Sequence, residues 1–263
     1  MLLRYISLQI NHPYLPDEEC QRFIYNTGFL NNYLSRSVRK LKIETHDSFN
    51  LLGVVLCGEH KPDEFNPFFK VISIYDVLSS ESWSQYQSLR IDGRIEYCLD
   101  ILEKGYKRAA CLKPIPVDRL IALHTTFREN DYRNEWLFKK RTLSKYGLTI
   151  YLKCYYTAFE FRLELEALAQ HSNVLLCNGT LLRTPAFEEA FVHLLHDICI
   201  NDPILEILDS SGFANITVDV SRLADGEFNY QYHDDERYKG KVWYKGWEKD
   251  IIENQRMIDK MTW

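Results

Sequence analysis

The chain has 263 residues, 46% of them hydrophobic, and its 32 basic and 37 acidic residues leave a formal net charge of −5. That hydrophobic share excludes a disordered chain and leaves room for one large domain or two small ones. The mixed charge lacks the basic footprint of a nucleic-acid binder, and no apolar run approaches the ~18 residues of a membrane span.

In chain order, Ile6, Leu8 and Ile10 alternate with Ser7 and Gln9, which predicts a strand stopped by Asn11-His12-Pro13. A short helix is expected next. Asp17 is its N-cap, Glu18 and Glu19 favour the positive end of the dipole, Cys20, Phe23 and Ile24 form the buried side, and Gly28 ends it. Residues 49–57 and 68–77 are apolar, β-branched runs that read as two strands with a long connection, their irregular phase allowing burial on both faces. From Ile91 the period changes: Ile95, Cys98, Leu99, Leu102, Tyr106, Ala109 and Ala110 follow at helical spacing, predicting a helix to about Cys111. Gly93 and Gly105 weaken it by ~1 kcal/mol each relative to Ala. Pro114 and Pro116 stop it, and residues 117–123 read as a strand or a short helical turn. The polar loop 128–134 marks an expected division into 1–127 and 128–263, with one continuous domain as the alternative.

Regularity is greatest in residues 135–168. Leu148, Ile150, Leu152, Cys154 and Tyr156 make one apolar face and Phe159, Phe161, Leu163, Leu165 and Ala167 the next, the pattern of a half-buried antiparallel sheet. Asn178-Gly179 between apolar runs predicts a hairpin turn. Thr184-Pro185 then opens an expected helix whose core face is Phe187, Ala190, Phe191, Leu194, Leu195 and Ile198. Ile216, Val218 and Val220, a turn at Asp225-Gly226, and Phe228, Tyr230 and Tyr232 predict a further hairpin. A strand over 241–247 and a helix over 248–261 complete the chain. The sum is an α+β protein, mainly antiparallel sheet in meanders and hairpins, with three to four amphipathic helices.

The stretch Leu8-Gln9-Ile10-Asn11-His12-Pro13-Tyr14, with Asp17 and Cys20, resembles the start of uncharacterised bacterial proteins associated with phage-tail-like or contractile injection clusters. The likeness covers about twenty residues of this sequence and implies an assembly role.

Seven cysteines without C-x-x-C spacing suit reduced thiols in a cytoplasmic protein. No Gly-rich phosphate loop and no G-x-S-x-G elbow is present, so no catalytic residues and no cofactor are expected. Cys57 lies three residues from His60, and His233-Asp234-Asp235-Glu236 is a dense polar cluster at a strand end. Two basic clusters, at 36–42 and 139–141, read as solvated faces of strands. His193, His196 and Asp197 lie three and four apart on the expected helix, the one spacing that could chelate a metal. They carry the alternative reading, a metal-assisted hydrolase drawing also on His233 and Asp235. The leading reading is a non-enzymatic binder of another protein, basic in character, either an immunity-type inhibitor or an assembly component. Its expected interface is Tyr230, Tyr232, Asp234, Asp235, Trp243, Tyr244 and Trp247, because interfaces draw on Tyr and Trp for their hot spots. Neither nucleic acid nor membrane is an expected partner, and the oligomeric state is left open.

Overall fold

The structure, a computed structural model, describes residues 1–46 and 48–233. The chain divides into two compact units, Met1–Asn134 and a second that begins at Glu135. Both helices and strands are present, as the α+β reading expects.

In the first unit β1 (Tyr5–Asn11), β2 (Leu51–Cys57) and β4 (Val71–Val77) lie parallel, and the short β3 (Glu64–Asn66) runs antiparallel to β4, in the order β1-β2-β4-β3. The expectation of a mainly antiparallel protein therefore does not extend to this sheet, which is mixed. Apolar runs look alike whichever way they pair; what decides direction is the connection, and parallel neighbours need a long crossover. Here that crossover is α1 (Asp17–Leu41), 25 residues long. Central strand β2 is buried on both faces, with Leu52, Val54, Leu56 and Cys57 at most 1% exposed.

Helix α1 runs through Gly28 rather than ending there. Phe23, Thr27, Leu30, Leu34 and Val38 continue the stripe at helical spacing and are all buried, which outweighs the ~1 kcal/mol that glycine costs. Ile24 falls outside that stripe and is exposed. The helix stops at Lys42, which takes the left-handed conformation at φ 51°. The basic residues 36–40 therefore sit on a helix, where Arg39 lies over the Tyr5 ring and donates to the Arg4 carbonyl.

Alternate residues of an edge strand turn the same way, ~6.6 Å apart, and one helical turn of four residues rises ~6 Å. The first unit uses that match. Ser35 Oγ accepts from Ile6 N at 3.1 Å and donates to Ile6 O at 3.1 Å, while Asn31 accepts from Leu8 N at 2.8 Å and donates to Leu8 O at 3.0 Å. Two α1 side chains thus occupy the ladder positions of β1 that no strand fills.

Behind the sheet, α2 (Ser80–Ser88) is capped by Ser79, whose hydroxyl accepts from Ser82 N. The predicted long helix is α3 (Ile91–Leu112). Gly105 is an asset to it: a Cβ there would lie 2.4 Å from Val54 Cγ2, so its absence lets α3 seat closely on β2. Residues 117–123 belong to a full helix, α4 (Val117–Glu129), which buries Leu120, His124 and Phe127 at spacings of four and three. Asn134 closes the unit by donating to the Phe29 carbonyl at 2.8 Å and accepting from Arg36 at 2.9 Å.

The second unit holds two four-stranded antiparallel meanders. One comprises β5 (Glu135–Leu143), β6 (Leu148–Tyr156), β7 (Glu160–Ala169) and β8 (Leu175–Pro185); the other comprises β9 (Asp197–Asn201), β10 (Ile204–Leu208), β11 (Ala214–Asp219) and β12 (Tyr230–Tyr232). Most of the alternating residues read from the sequence are the core here: Leu148, Ile150, Leu152, Cys154 and Tyr156, and Phe161, Leu163, Leu165 and Ala167, are at most 2% exposed, whereas Phe159 lies half-buried in the connection between β6 and β7. Their opposite face is laced by ion pairs, Lys153 to Glu166 at 2.5 Å and Arg162 to Glu160 and Glu164 at 3.1 and 2.9 Å.

Two predictions fail in this unit. Asn178-Gly179 makes no turn, because β8 continues straight through it with shifts of register at either side. The reason is packing: a Cβ at residue 179 would lie 2.3 Å from the Phe228 ring, so glycine serves close approach there. Nor does a helix follow Thr184-Pro185; short 3₁₀ turns at Glu188–Ala190 and Val192–Leu194 lead directly into β9. They place Phe191 flat on Phe161, ring centroids 3.7 Å apart, a contact that a single amphipathic stripe does not anticipate. The β11–β12 pairing follows the predicted hairpin, although Val220 belongs to the short helix α5 (Val220–Ala224) in its connection.

Candidate functional site

The expected metal ligands are not brought together. Without a helix, the spacing of His193, His196 and Asp197 loses its meaning. His193 Nδ1 turns to the Glu189 carbonyl at 2.9 Å, and Asp197 pairs with Lys139 at 2.8 Å, which holds its carboxyl below the usual range. Among the described residues no three His, Cys, Asp or Glu side chains form a group that could hold a metal ion. His233 meets Thr217 Oγ1 at 2.8 Å, whereas Asp234 and Asp235 lie outside the described residues. The buried Cys57 thiol donates to the Glu59 carbonyl at 3.0 Å, and His60 is exposed. None of the seven cysteines is joined in a disulfide.

Of the expected interface, Tyr230 and Tyr232 are 43% and 42% exposed on β12. Trp243, Tyr244 and Trp247, like the strand and helix expected over 241–261, lie outside the described residues.

A more exposed aromatic feature belongs to the first unit. Residues 67–70 join β3 to β4, and at this tip Phe68 is 84% and Phe69 69% exposed, their rings edge-to-face with centroids 4.9 Å apart. The backbone beneath them is fixed: Asn66 Oδ1 accepts from both Phe68 N and Phe69 N at 3.1 and 3.0 Å, and Lys70 follows at φ 57°. Tyr75 N donates to Asp63 at 3.0 Å, and Arg108 clamps Asp63 with donors at 2.6 and 2.9 Å, tying the hairpin to α3. Both rings had read simply as the start of a strand. The Asn66-Pro67 pair before them was the available sign of a turn.

The first unit also contains a cavity of about 160 Å³ between α1, α2 and α3. Phe23, Trp83 and Tyr86 are its buried aromatic wall, with the Trp83 and Tyr86 rings stacked at 5.3 Å. Glu19 Oε2 accepts from Trp83 Nε1 at 2.6 Å and from Gln87 Nε2 at 3.2 Å. Arg22, Asn26 and Arg94 complete the lining. Burial raises the Tyr86 phenol far above its ordinary pKa, so this wall is neutral.

A third polar constellation is buried at its imidazole end. His124, fully buried, meets Tyr106 Oη through Nε2 at 3.0 Å and Glu103 through Nδ1 at 3.1 Å; Arg128 stands 3.4 Å from Glu103 and binds Glu96 at 2.9 Å. Tyr106 is also fully buried, so the imidazole is sealed from solvent, and this chain of groups fastens α3 to α4.

Comparison of the chain with protein-family models, with curated proteins and with solved structures finds no match. Among the described residues no helix is long and apolar enough to cross a membrane.

Proposed function

We propose that the protein acts by binding another protein, with the aromatic tip of the β3–β4 hairpin as the contact of its first unit. The observation that carries this reading is the exposure of Phe68 and Phe69 on a backbone whose hydrogen bonds are already made. A phenylalanine ring left in water forgoes roughly 2 kcal/mol of burial, and a tip fixed in advance loses little entropy when a partner supplies that burial. Tyr230 and Tyr232 offer a second contact in the other unit.

A protein partner suits the tip better than a lipid surface. Around it lie Lys61 and Lys70 but also Asp63 and Glu64, and the whole chain carries a net charge of −5, whereas anionic membranes recruit clusters of one positive sign. The same acidity favours a basic partner. An inhibitor that neutralises a toxin and a subunit of a phage-tail-like particle are two forms of this function, separated by stoichiometry.

Affinity capture with the full chain from a lysate of the source cells, followed by sizing of the complex, tests the reading. One protein should be captured stoichiometrically and lost on Phe68→Ala/Phe69→Ala. No stoichiometric protein, or one retained equally by the double variant, would contradict it.

A further inference from the structure

Cations gather where the C-terminal end of α1 meets the first residues of β1. Arg39 Nε donates to the Arg4 carbonyl at 3.2 Å, and Arg119 reaches over from α4 to the Leu41 carbonyl at 2.9 Å, beside Lys40 and Lys42. Arg4 N donates to the Asn50 carbonyl at 2.8 Å and Asn50 N to the Lys70 carbonyl at 2.9 Å. Lys70 therefore stands at the same end of the sheet, where Tyr5, Leu51 and Val71 are in register. Arg4, Arg39, Lys40, Lys42, Lys70 and Arg119 are all exposed, and none has a carboxylate partner among the described residues. The carbonyl end of α1 accounts for part of this gathering, but it is worth about half a negative charge against six positive ones. Glu44 and Asp118, with Asp47 nearby in sequence, still leave a positive excess. The first unit has 17 residues of each sign, so the whole net charge of −5 belongs to the sequence from Glu135 on, and with it the preference for a basic partner.

From this we infer that this end of the first unit is a docking surface for an acidic segment of a protein, independent of the aromatic tip. No ion pair has to be broken for these groups to take carboxylate partners, and a segment bearing several carboxylates meets more than one of them at a time. Neighbouring strands lie ~4.8 Å apart, so the distance from β1 to β4 is about 10 Å, the reach of three residues of extended chain. Complementary charge of this kind sets specificity and the rate of encounter. A nucleic acid calls for a longer basic track than these residues offer in a unit without net charge. A planar anionic membrane would meet Glu44 and Asp118 along with the cations, whereas a narrow segment can pass between them.

Fluorescence anisotropy of a labelled octaglutamate peptide with the full chain at low ionic strength, with octaglutamine as the neutral control, tests the inference. Octaglutamate should bind saturably below ~1 mM, at least ~10-fold more tightly than octaglutamine, and weaken as salt is added. Lys40→Glu/Lys42→Glu should weaken it by at least ~10-fold. Lys104→Glu/Lys107→Glu, which changes the net charge equally at exposed positions of α3, should leave it within ~2-fold; thermal melting checks that both variants fold. No saturable binding, equal affinity for the two peptides, or the same loss in both double variants would overturn the inference. So would tighter binding of a single-stranded oligonucleotide, or of phosphatidylserine vesicles, that is lost in Lys40→Glu/Lys42→Glu, since the surface would then serve another class of anion. The ranking of octaglutamate over octaglutamine is read on the unaltered protein, so the outcome does not depend on a variant folding.

Discussion

At His124 the ring has no exposed surface and two specific partners. Glu103, ionised beside Arg128, can only accept, so Nδ1 carries the proton and Nε2 accepts from the Tyr106 hydroxyl. Protonating Nε2 would leave that hydroxyl's own hydrogen without an acceptor. Burial lowers the imidazole pKa below its ordinary 6.5, with Glu103 opposing the shift. The unfolded chain therefore takes up a proton that the folded chain refuses. Stability from this group is complete above the unfolded value and is lost as pH falls through the lowered folded one. Melting temperature should decline between about pH 7 and about pH 5, and less steeply in His124→Gln; an identical slope in the variant would contradict the assignment. Tyr106→Phe, which leaves Nε2 buried and unpaired, should cost ~1–3 kcal/mol in denaturant unfolding.

Among the elements, the two side chains of α1 on β1 make the sharpest prediction. Asn31→Leu with Ser35→Ala would strand the N–H and C=O groups of Ile6 and Leu8, at ~1–3 kcal/mol for each unsatisfied group. Amide exchange at Ile6 and Leu8 should accelerate well beyond that of Val54 in the central strand; unchanged protection would show that the ladder is satisfied elsewhere. Gly105→Ala sets two effects against each other. Helix propensity favours alanine by ~1 kcal/mol, but the new Cβ meets Val54 at 2.4 Å, and overpacking of that kind costs ~1–3 kcal/mol. The variant should be less stable, and Val54→Ala should relieve the clash in a double-mutant cycle.

Sequence pattern was a good guide wherever one face of an element is buried and the other wet. Residues 148–167 were legible because the period of two is the pleat itself, and Ile91–Leu112 because its stripe is unbroken. It failed where a local signal was overruled from a distance: Gly28 lies within a helix held by its buried stripe, and Gly179 faces Phe228 rather than a turn. Parallel pairing of β1, β2 and β4 has no signature in any strand taken alone.

At the scale of the whole molecule, the aromatic hairpin tip and the helix-lined cavity both belong to the first of two compact units, and neither could be read off the chain. The cavity assembles Glu19, Trp83 and Arg94 from three helices, residues that carry no common spacing. Phe68 and Phe69 look like core in sequence, since hydrophobicity does not reveal that a hairpin tip projects into solvent. Because the hydrogen bonds of Asn134 all return to α1, a chain ending there should retain cooperative unfolding and the helical signal of the first unit; a non-cooperative melt would show that the units depend on each other. The most direct test of protein binding is calorimetry of the captured partner against the unaltered chain and Phe68→Ala/Phe69→Ala. Loss of two exposed anchors should weaken binding by roughly 100-fold without lowering the melting temperature. Equal affinity in a double variant that melts at the same temperature would contradict the account.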